Sequence, residues 1–181
     1  MDLERFKRWL RQDYLFLVDY CRLLALAAAR SPDLATLRRF AELLQATATT
    51  EMDLHRSYAA ELGIAAEELE SEPTAPVTRA YTDFLIRTAS TADFAEVAAA
   101  LLPCMWGYSE VGQRLAARGR PPDVRLARWI DAYADPEFAR LAGWCRELVD
   151  RLGEEAGPAL RARMRDAFLS SSRYELAFWD V

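Results

Sequence analysis

The sequence predicts an all-α protein, folded as a single up-and-down bundle of about seven helices. Of its 181 residues, 32 are Ala and 25 are Leu, the two best apolar helix formers, whereas Val and Ile together number 10. β-branched residues favour strands and are disfavoured in helices, and the seven glycines are below the usual share. This composition excludes a β-sandwich or barrel and argues against a parallel α/β sheet.

Proline, glycine and capping residues divide the chain into its helices. Ser31-Pro32 and Asp135-Pro136 each predict an N-cap followed by proline at the first helical position, and Gly157-Pro158 separates the last two helices. Helices are predicted near residues 2–29, 33–62, 77–89, 92–118, 123–134, 136–155 and 158–179, with a short helical turn near 65–70. No repeat or linker interrupts these segments, so we expect one domain over residues 1–181.

Charge and cysteine usage exclude several classes of protein. There are 28 acidic and 23 basic residues, a net charge of −5, so the chain has no basic stripe for nucleic acid. The longest apolar run, Val97 to Trp106, is too short to span a bilayer, and we expect no membrane partner and a cytoplasmic location. The three cysteines form no CxxC pair, which fits neither a disulfide framework nor a zinc site.

Two carboxylates occupy positions on apolar helix faces. In the first helix, Asp13 continues the face formed by Phe6, Trp9, Leu10, Leu17, Tyr20, Cys21 and Leu24. In the last helix, Glu175 shares a face with Met164, Phe168, Ser171 and Phe178. Because residues three and four apart lie on the same face of a helix, both carboxylates are expected to face the core. Because a buried, unpaired carboxylate is costly, each should have a partner or a task.

The helix predicted over 92–118 carries a proline in its interior. Pro103 removes an amide donor and should kink the chain, leaving the Ala99 carbonyl without its usual donor. Cys104 follows directly, in helical register with Tyr108. The distorted turn therefore presents a thiol and an aromatic hydroxyl on one face, while Tyr81 lies on the apolar face of the helix over 77–89.

Taken singly, these residues have structural interpretations that compete with functional ones. A lone inward carboxylate is commonly part of a polar network, a free Cys commonly packs as a small hydrophobe, and tyrosines commonly belong to the core. Glu51 and His55 lie four residues apart and could bind a metal, but with one His in the chain a structural Glu–His hydrogen bond is favoured. In combination, inward carboxylates, a thiol and aromatic rings predict a pocket for a planar, nitrogen-rich ligand.

Five segments occur in order along the chain: RFKRWLRQDYLFL, EMDLHRSYAAELGI, AALLPCMWGYSEVG, RWIDAYADPEF and SSSRYELAFWD. With these motifs the chain resembles the TenA / thiaminase II family, which has the haem-oxygenase-like helical bundle fold. The resemblance runs from about Arg5 to Trp179, nearly the whole chain. The patterns LPCxWxYxEVG and SSxYExxFW at this separation are quite specific, and five motifs in one order are more specific than any of them alone.

The resemblance implies an aminopyrimidine hydrolase of thiamin salvage. Its small-molecule partner would be aminomethylpyrimidine, hydroxymethylpyrimidine or thiamin, and the family requires no metal or organic cofactor. By match to the family's motifs, Cys104 is the expected nucleophile, Glu175 the acid/base, and Asp13 the residue that binds the pyrimidine nitrogens. The residues expected to form the walls of the pocket are Phe16, Tyr81, Tyr108, Tyr133 and Phe178.

The implied mechanism is covalent. The Cys104 thiolate adds to the ring, the substituent on the methylene leaves, and Glu175 protonates the leaving amine before activating water. A free thiol has a pKa of about 8.5, and the sequence leaves the source of its activation open.

Two departures from the family pattern bear on activity and assembly. Family members commonly have a tyrosine three residues after the aspartate, whereas this chain has Phe16, which keeps the ring and loses a hydroxyl. They also usually have a further helix before the first motif. We expect its absence to leave an apolar groove on the bundle and the chain to form a homo-oligomer, a dimer or a tetramer.

Two other functions stay open at this point. The same pocket without turnover would make a pyrimidine-binding or regulatory protein, and the chain could be a purely structural bundle. Other chemistries on this fold fit poorly. Haem oxygenase needs an axial His, for which His55 is the one candidate, and di-iron or quinone-cofactor proteins need His-rich sites.

Overall fold

The computed structural model describes residues 3–180, and helices account for nearly all of this range. The α-helices are α1 (Leu3–Ala29), α2 (Leu34–Ala46), α3 (Met52–Glu61), α4 (Ala66–Ser71), α5 (Pro76–Thr91), α6 (Phe94–Ala117), α7 (Val124–Tyr133), α8 (Pro136–Glu155) and α9 (Pro158–Phe178). A five-residue π-helical segment, Thr47–Glu51, joins α2 to α3 without a break. No strand occurs between residues 3 and 180, so the all-α prediction is confirmed.

The helix boundaries agree with the predicted ones to within a few residues. The helix expected over 33–62 is the continuous run of α2, the π-helical segment and α3. The short turn expected near 65–70 is α4. The remaining helices begin and end within about three residues of the predicted positions, which is the usual disagreement at helix ends.

Short acidic side chains set where two helices begin. Asp135 caps α8 as predicted, because its carboxylate accepts hydrogen bonds from two backbone N–H groups of the first turn. The cap predicted at Ser31 is wrong. α2 begins at Leu34, and Asp33 is its N-cap, since Asp33 Oδ1 accepts a hydrogen bond from the Thr36 backbone N at 2.8 Å. Asp33 also accepts a hydrogen bond from the Thr36 hydroxyl through Oδ2, so both of its carboxylate oxygens bind the first turn.

The long helix α6 continues across Pro103 without interruption. Pro103 itself is buried, and Cys104 directly after it is half-buried. The kink expected at this residue stays a prediction. Between residues 3 and 180, none of the helices is both long and apolar enough to cross a membrane.

The chain divides into two compact units. Of the described residues, the first unit holds 3–94 together with 173–180, and the second holds 95–172. The single domain expected over 1–181 stays a prediction, and each unit is described by itself.

The first unit is built around α1, which packs against α2, α3, α4 and α5. Its apolar face is buried as predicted, with Trp9 and Tyr20 each only 2% exposed. The end of α9 is fastened to the start of α1. Arg5 Nη2 donates to the Trp179 carbonyl at 2.8 Å, and the rings of Trp9 and Trp179 stack with centroids 5.4 Å apart. These contacts fix the last turn of α9, which carries two of the predicted site residues.

Gln12 ties the connection before α5 to α1. Its side chain is nearly fully buried, and Oε1 accepts hydrogen bonds from the Ala75 backbone N at 2.8 Å and from Thr78 Oγ1 at 2.9 Å. Nε2 donates to the Pro73 carbonyl at 3.0 Å. A buried amide with its oxygen and one of its N–H groups hydrogen-bonded in this way holds α5, and therefore Tyr81, in a fixed register against α1.

In the second unit, α6 and the end of α7 approach each other closely at Gly112. A Cβ atom added there would lie 2.5 Å from the Tyr133 carbonyl carbon and 2.8 Å from the Ala134 nitrogen. Both neighbours are backbone atoms, so no side chain can move aside. Glycine at this position is therefore what allows α7 to carry Tyr133 against α6.

We expect Gly112→Ala to destabilise the protein by about 1–3 kcal/mol, because the new methyl forces the two helices apart. Gly107→Ala is the matched control in the same helix, since nothing lies within 4 Å of its added Cβ. That variant should be neutral or stabilising by about 0.5–1 kcal/mol, as alanine is the better helix former. Urea unfolding followed by far-UV circular dichroism measures both. If both substitutions changed the stability by the same amount, the close approach of α6 and α7 at Gly112 would not be what limits this position.

Candidate active site

The buried carboxylate of Asp13 is paired with the one histidine of the sequence. Asp13 Oδ2 and His55 Nε2 lie 2.6 Å apart, and the two side chains are 5% and 1% exposed. On the other edge of the imidazole, Nδ1 lies 2.9 Å from the Glu51 backbone carbonyl. Burial alone would lower the pKa of His55, but the hydrogen bond and charge of Asp13, together with Glu51, raise it above its usual value.

This geometry decides between the two roles predicted for Glu51 and His55. The structural hydrogen bond is present, although its acceptor is the backbone carbonyl of Glu51 and not its carboxylate. Between residues 3 and 180, no three His, Cys, Asp or Glu side chains come together in a way that could hold a metal ion. His55 therefore acts as a hydrogen-bonding partner of Asp13.

Aromatic rings surround the next turn of α1. Phe16 stacks on Tyr81 of α5 with centroids 5.0 Å apart, and it contacts the Phe178 ring of α9 at 5.6 Å. Tyr81 also stacks on Tyr174, at 5.4 Å and an interplanar angle of 15°. Phe16, Tyr81 and Phe178 are each at most 3% exposed. Together they form a buried stack of aromatic rings.

The second predicted carboxylate reaches this stack through a hydroxyl. Tyr81 Oη donates to Glu175 Oε1 at 2.8 Å. Glu175 is half-buried, one turn before Phe178 on α9. A general acid/base must be held in a defined position, and the hydrogen bond from the Tyr81 hydroxyl fixes the Glu175 carboxylate in this way.

The other three predicted residues lie in the second unit. Tyr108 on α6 and Tyr133 on α7 contact each other with centroids 5.0 Å apart, and both rings also contact Trp129. Cys104 lies one helical turn before Tyr108 and is half-buried.

The structure therefore places the predicted site residues in two groups. Within the first unit it brings together Phe16, Tyr81, Glu175 and Phe178, with Asp13 one turn before Phe16 on α1. Within the second unit it brings together Tyr108 and Tyr133, with Cys104 one turn away on the same helix. That all eight residues line one cavity stays a prediction.

Two residues that contact the first group, His55 and Tyr174, were not identified from the sequence as part of the site. His55 was considered as a partner of Glu51 and as an axial haem ligand, yet its buried partner is Asp13, 42 residues away. One signal was present, since His55 lies on the apolar stripe of Met52, Tyr58 and Ala59. Tyr174 appears in the motif beside Glu175, but nothing in the spacing showed that it stacks on Tyr81.

The protein is thus an all-α protein with a buried carboxylate and, one turn further along the same helix, a stack of aromatic rings. The chain belongs to the TENA/THI-4/PQQC family, whose model matches residues 1–181. It is 40% identical to the aminopyrimidine aminohydrolase of Halalkalibacterium halodurans, an alignment that covers all of this chain and 81% of that protein. Against the aminopyrimidine aminohydrolase of Bacillus subtilis the identity is 35%, with coverage of 100% and 76%.

Solved structures give the same fold. A TenA family transcription regulator from Silicibacter superposes with a TM-score of 0.91 at 27% identity, covering 99% of this chain and 82% of that one. A TenA homologue from Pyrococcus furiosus superposes with a TM-score of 0.89 at 27% identity, covering 99% and 84%. The family predicted from the five motifs is confirmed.

Proposed function

We propose that this chain is an aminopyrimidine hydrolase of the thiaminase II type. It would replace the amine of an aminomethylpyrimidine with a hydroxyl and release ammonia. The observation that carries the proposal is the connected site on α1, α5 and α9, in which a buried carboxylate lies one turn from an aromatic stack that is hydrogen-bonded to Glu175. The names of the relatives in Halalkalibacterium halodurans and Bacillus subtilis support the same reaction.

In this proposal, Asp13 and the rings bind the pyrimidine. Between residues 3 and 180, Asp13 Oδ1 accepts no hydrogen bond, because the contact with His55 uses Oδ2 alone. Oδ1 is thus available to an N–H group of the ligand, either the exocyclic amine or a protonated ring nitrogen. Phe16, Tyr81, Tyr108, Tyr133 and Phe178 would provide faces on which the ring stacks.

Cys104 and Glu175 carry the chemistry. The Cys104 thiolate forms a bond from Sγ to a ring carbon, and the electron pair displaced through the ring expels the amine from the methylene. Glu175 gives that amine a proton, so it leaves as ammonia. Glu175 then takes a proton from water, the resulting hydroxide adds to the methylene, and the returning electron pair expels the Cys104 thiolate. None of these reaction steps uses a metal or an organic cofactor.

Assembly and location complete the proposal. Large apolar side chains are exposed on three helices, with Leu34 at 59%, Val124 at 64% and Leu176 at 73%. Apolar side chains exposed singly are common on monomeric proteins, so the homo-oligomer rests on the resemblance to the family. The reaction would take place in the cytoplasm on a free pyrimidine, with neither nucleic acid nor membrane as partner.

A non-catalytic pyrimidine-binding protein is the second candidate. Phe16 favours it, because this chain lacks the hydroxyl that the family commonly has at that position and offers a ring that stacks on Tyr81 in its place. The binding role needs Asp13 and the aromatic stack but neither Cys104 nor Glu175.

Ammonia release separates the two candidates. We expect the purified chain to convert 4-amino-5-aminomethyl-2-methylpyrimidine to the hydroxymethyl compound with one ammonia per product, measured by a coupled ammonia assay and by chromatography of the pyrimidine. Thiamin, supplied in parallel, tests whether a thiazole also serves as leaving group. Binding of the aminopyrimidine by calorimetry without any product over many hours would favour the binding protein and overturn the hydrolase.

A further inference from the structure

The hydrogen bonds of His55 determine its protonation state. The Glu51 carbonyl can only accept, so Nδ1, 2.9 Å away, must carry a proton. A neutral imidazole with its proton on Nδ1 would turn the lone pair of Nε2 toward Asp13 Oδ2 at 2.6 Å, which places two acceptors against each other. One proton between Nε2 and Oδ2 removes this conflict. It belongs on Nε2 because a carboxyl group is the stronger acid, with an ordinary pKa of about 3.9 against about 6.5 for imidazole, and the contact is then an imidazolium–carboxylate pair.

Surrounding groups favour the charged form. The charges that act on His55 come from Asp13 on α1 and from Glu51 at the end of the π-helical segment, and both are acidic. Arg56, the next residue on α3, donates to Tyr14 Oη at 3.0 Å. The Trp9 ring packs against the imidazole with centroids 5.9 Å apart and an interplanar angle of 42°.

The pair also limits the freedom of Asp13. A carboxylate on a helix can rotate about its side-chain bonds, and a ligand that binds it must stop that rotation. Here Oδ2 is fixed to an imidazole that is itself held at both ring nitrogens, so Oδ1 is presented in one orientation before any ligand arrives. An anion held in this way binds a donor with less loss of entropy.

We propose that His55 is a positioning residue for Asp13: its imidazolium, anchored on the Glu51 carbonyl, holds the carboxylate charged and oriented so that Oδ1 faces the ligand. This inference rests on the proposed function for the identity of the ligand, but the state of the pair itself does not depend on it. His55 touches neither the reacting atoms nor the substrate in this role.

A single histidine makes the pair directly observable. In protein labelled with ¹⁵N-histidine, every imidazole signal belongs to His55 and needs no assignment. We expect one titration above the usual value of about 6.5, with both ring nitrogens protonated at pH values below it. In Asp13→Asn the titration should move to lower pH, since burial then acts without the compensating charge. A titration at or below the usual value in the unaltered chain, or an unchanged titration in Asp13→Asn, would overturn the inference.

Ligand affinity tests the positioning role. His55→Gln keeps a neutral donor but loses the charge and the double anchor, so we expect the Kd for the aminopyrimidine to rise about tenfold near pH 7, with kcat changed less. The unaltered chain should lose affinity as pH rises through the His55 titration, and His55→Gln should not. Asp53→Asn is the matched control, because it removes a largely exposed carboxylate from the same helix and should leave the Kd unchanged.

The outcomes separate the two claims. An unaltered Kd and pH profile in His55→Gln would overturn the positioning role while leaving the hydrolase intact. A chain that shows the expected imidazolium by NMR but neither binds nor hydrolyses the aminopyrimidine would overturn the proposed function and, with it, the ligand assigned to Oδ1.

Discussion

Replacing Cys104 with serine should reduce hydrolysis of the aminopyrimidine by several orders of magnitude. Serine keeps the shape of the side chain, but its hydroxyl remains protonated at neutral pH and cannot supply the thiolate that adds to the ring. The Kd should stay within about tenfold, about 1.4 kcal/mol, because the contacts of Asp13 and the aromatic rings do not involve the sulfur. Steady-state ammonia release gives kcat and KM, and calorimetry gives the Kd.

Cys21→Ser is the matched control for this variant. Cys21 is half-buried like Cys104, and burial, with the charge of Glu51, raises the pKa of its thiol above the usual value. The third cysteine, Cys145, is buried on α8, where burial raises the pKa of its thiol to about 12. Neither side chain forms a ready thiolate at neutral pH, so Cys21→Ser should retain full activity.

Alkylation adds an independent measurement. Iodoacetamide near pH 8 should inactivate the chain in step with modification of Cys104, should modify Cys21 more slowly, and should leave Cys145 untouched until the protein unfolds. Peptide mass spectrometry locates the modified residue. If Cys104→Ser is as active as the unaltered chain, the thiol is a packing residue and the covalent mechanism is wrong here.

Local chemistry explains why the helices could be predicted from the sequence. A cap such as Asp135 and a proline such as Pro136 act on their own helix within one turn, so their effect is visible in a few residues. The inward positions of Asp13 and Glu175 followed from spacing alone. The burial of Asp13 and the contact of Glu175 with Tyr81 confirm that these positions face other elements and not open solvent.

Contacts between distant segments explain what the sequence did not reveal. The partner of Asp13 is set by the packing of α3 on α1, and no local pattern connects residues 42 positions apart.

The π-helical segment before α3 was also missed, because TATTE has no composition that separates a wide turn from an α-helical one. The cap at Ser31 failed for a local reason: Ser31 and Asp33 lie two residues apart and both are good capping residues, and the helix begins after the second of them.

The buried pair of Asp13 and His55 should also dominate the stability of the first unit. We expect Asp13→Ala to lower the free energy of unfolding by about 3–5 kcal/mol near pH 6, since it removes the counter-charge and hydrogen-bond partner of a buried ring, which must then release its proton on folding. Asp19→Ala is the matched control on α1. Asp19 pairs with Arg22, whose side chain is 66% exposed, and such a surface pair is worth at most about 1 kcal/mol. Urea unfolding followed by tryptophan fluorescence measures both losses.

The pH dependence of stability should change sign in Asp13→Ala. In the unaltered chain the pKa of His55 is raised by folding, so the pair contributes fully below the unfolded value of about 6.5 and its contribution is lost as pH rises through the folded value. Without Asp13, burial becomes the dominant effect and lowers that pKa. The variant should then gain stability as pH rises toward about 6.5 and above, because the buried ring is increasingly neutral. If the stability of the unaltered chain and of Asp13→Ala fell in the same way as pH rises, the pair would not be charged. His55→Gln has no titrating ring at this position and should lack the pH dependence of stability that comes from His55.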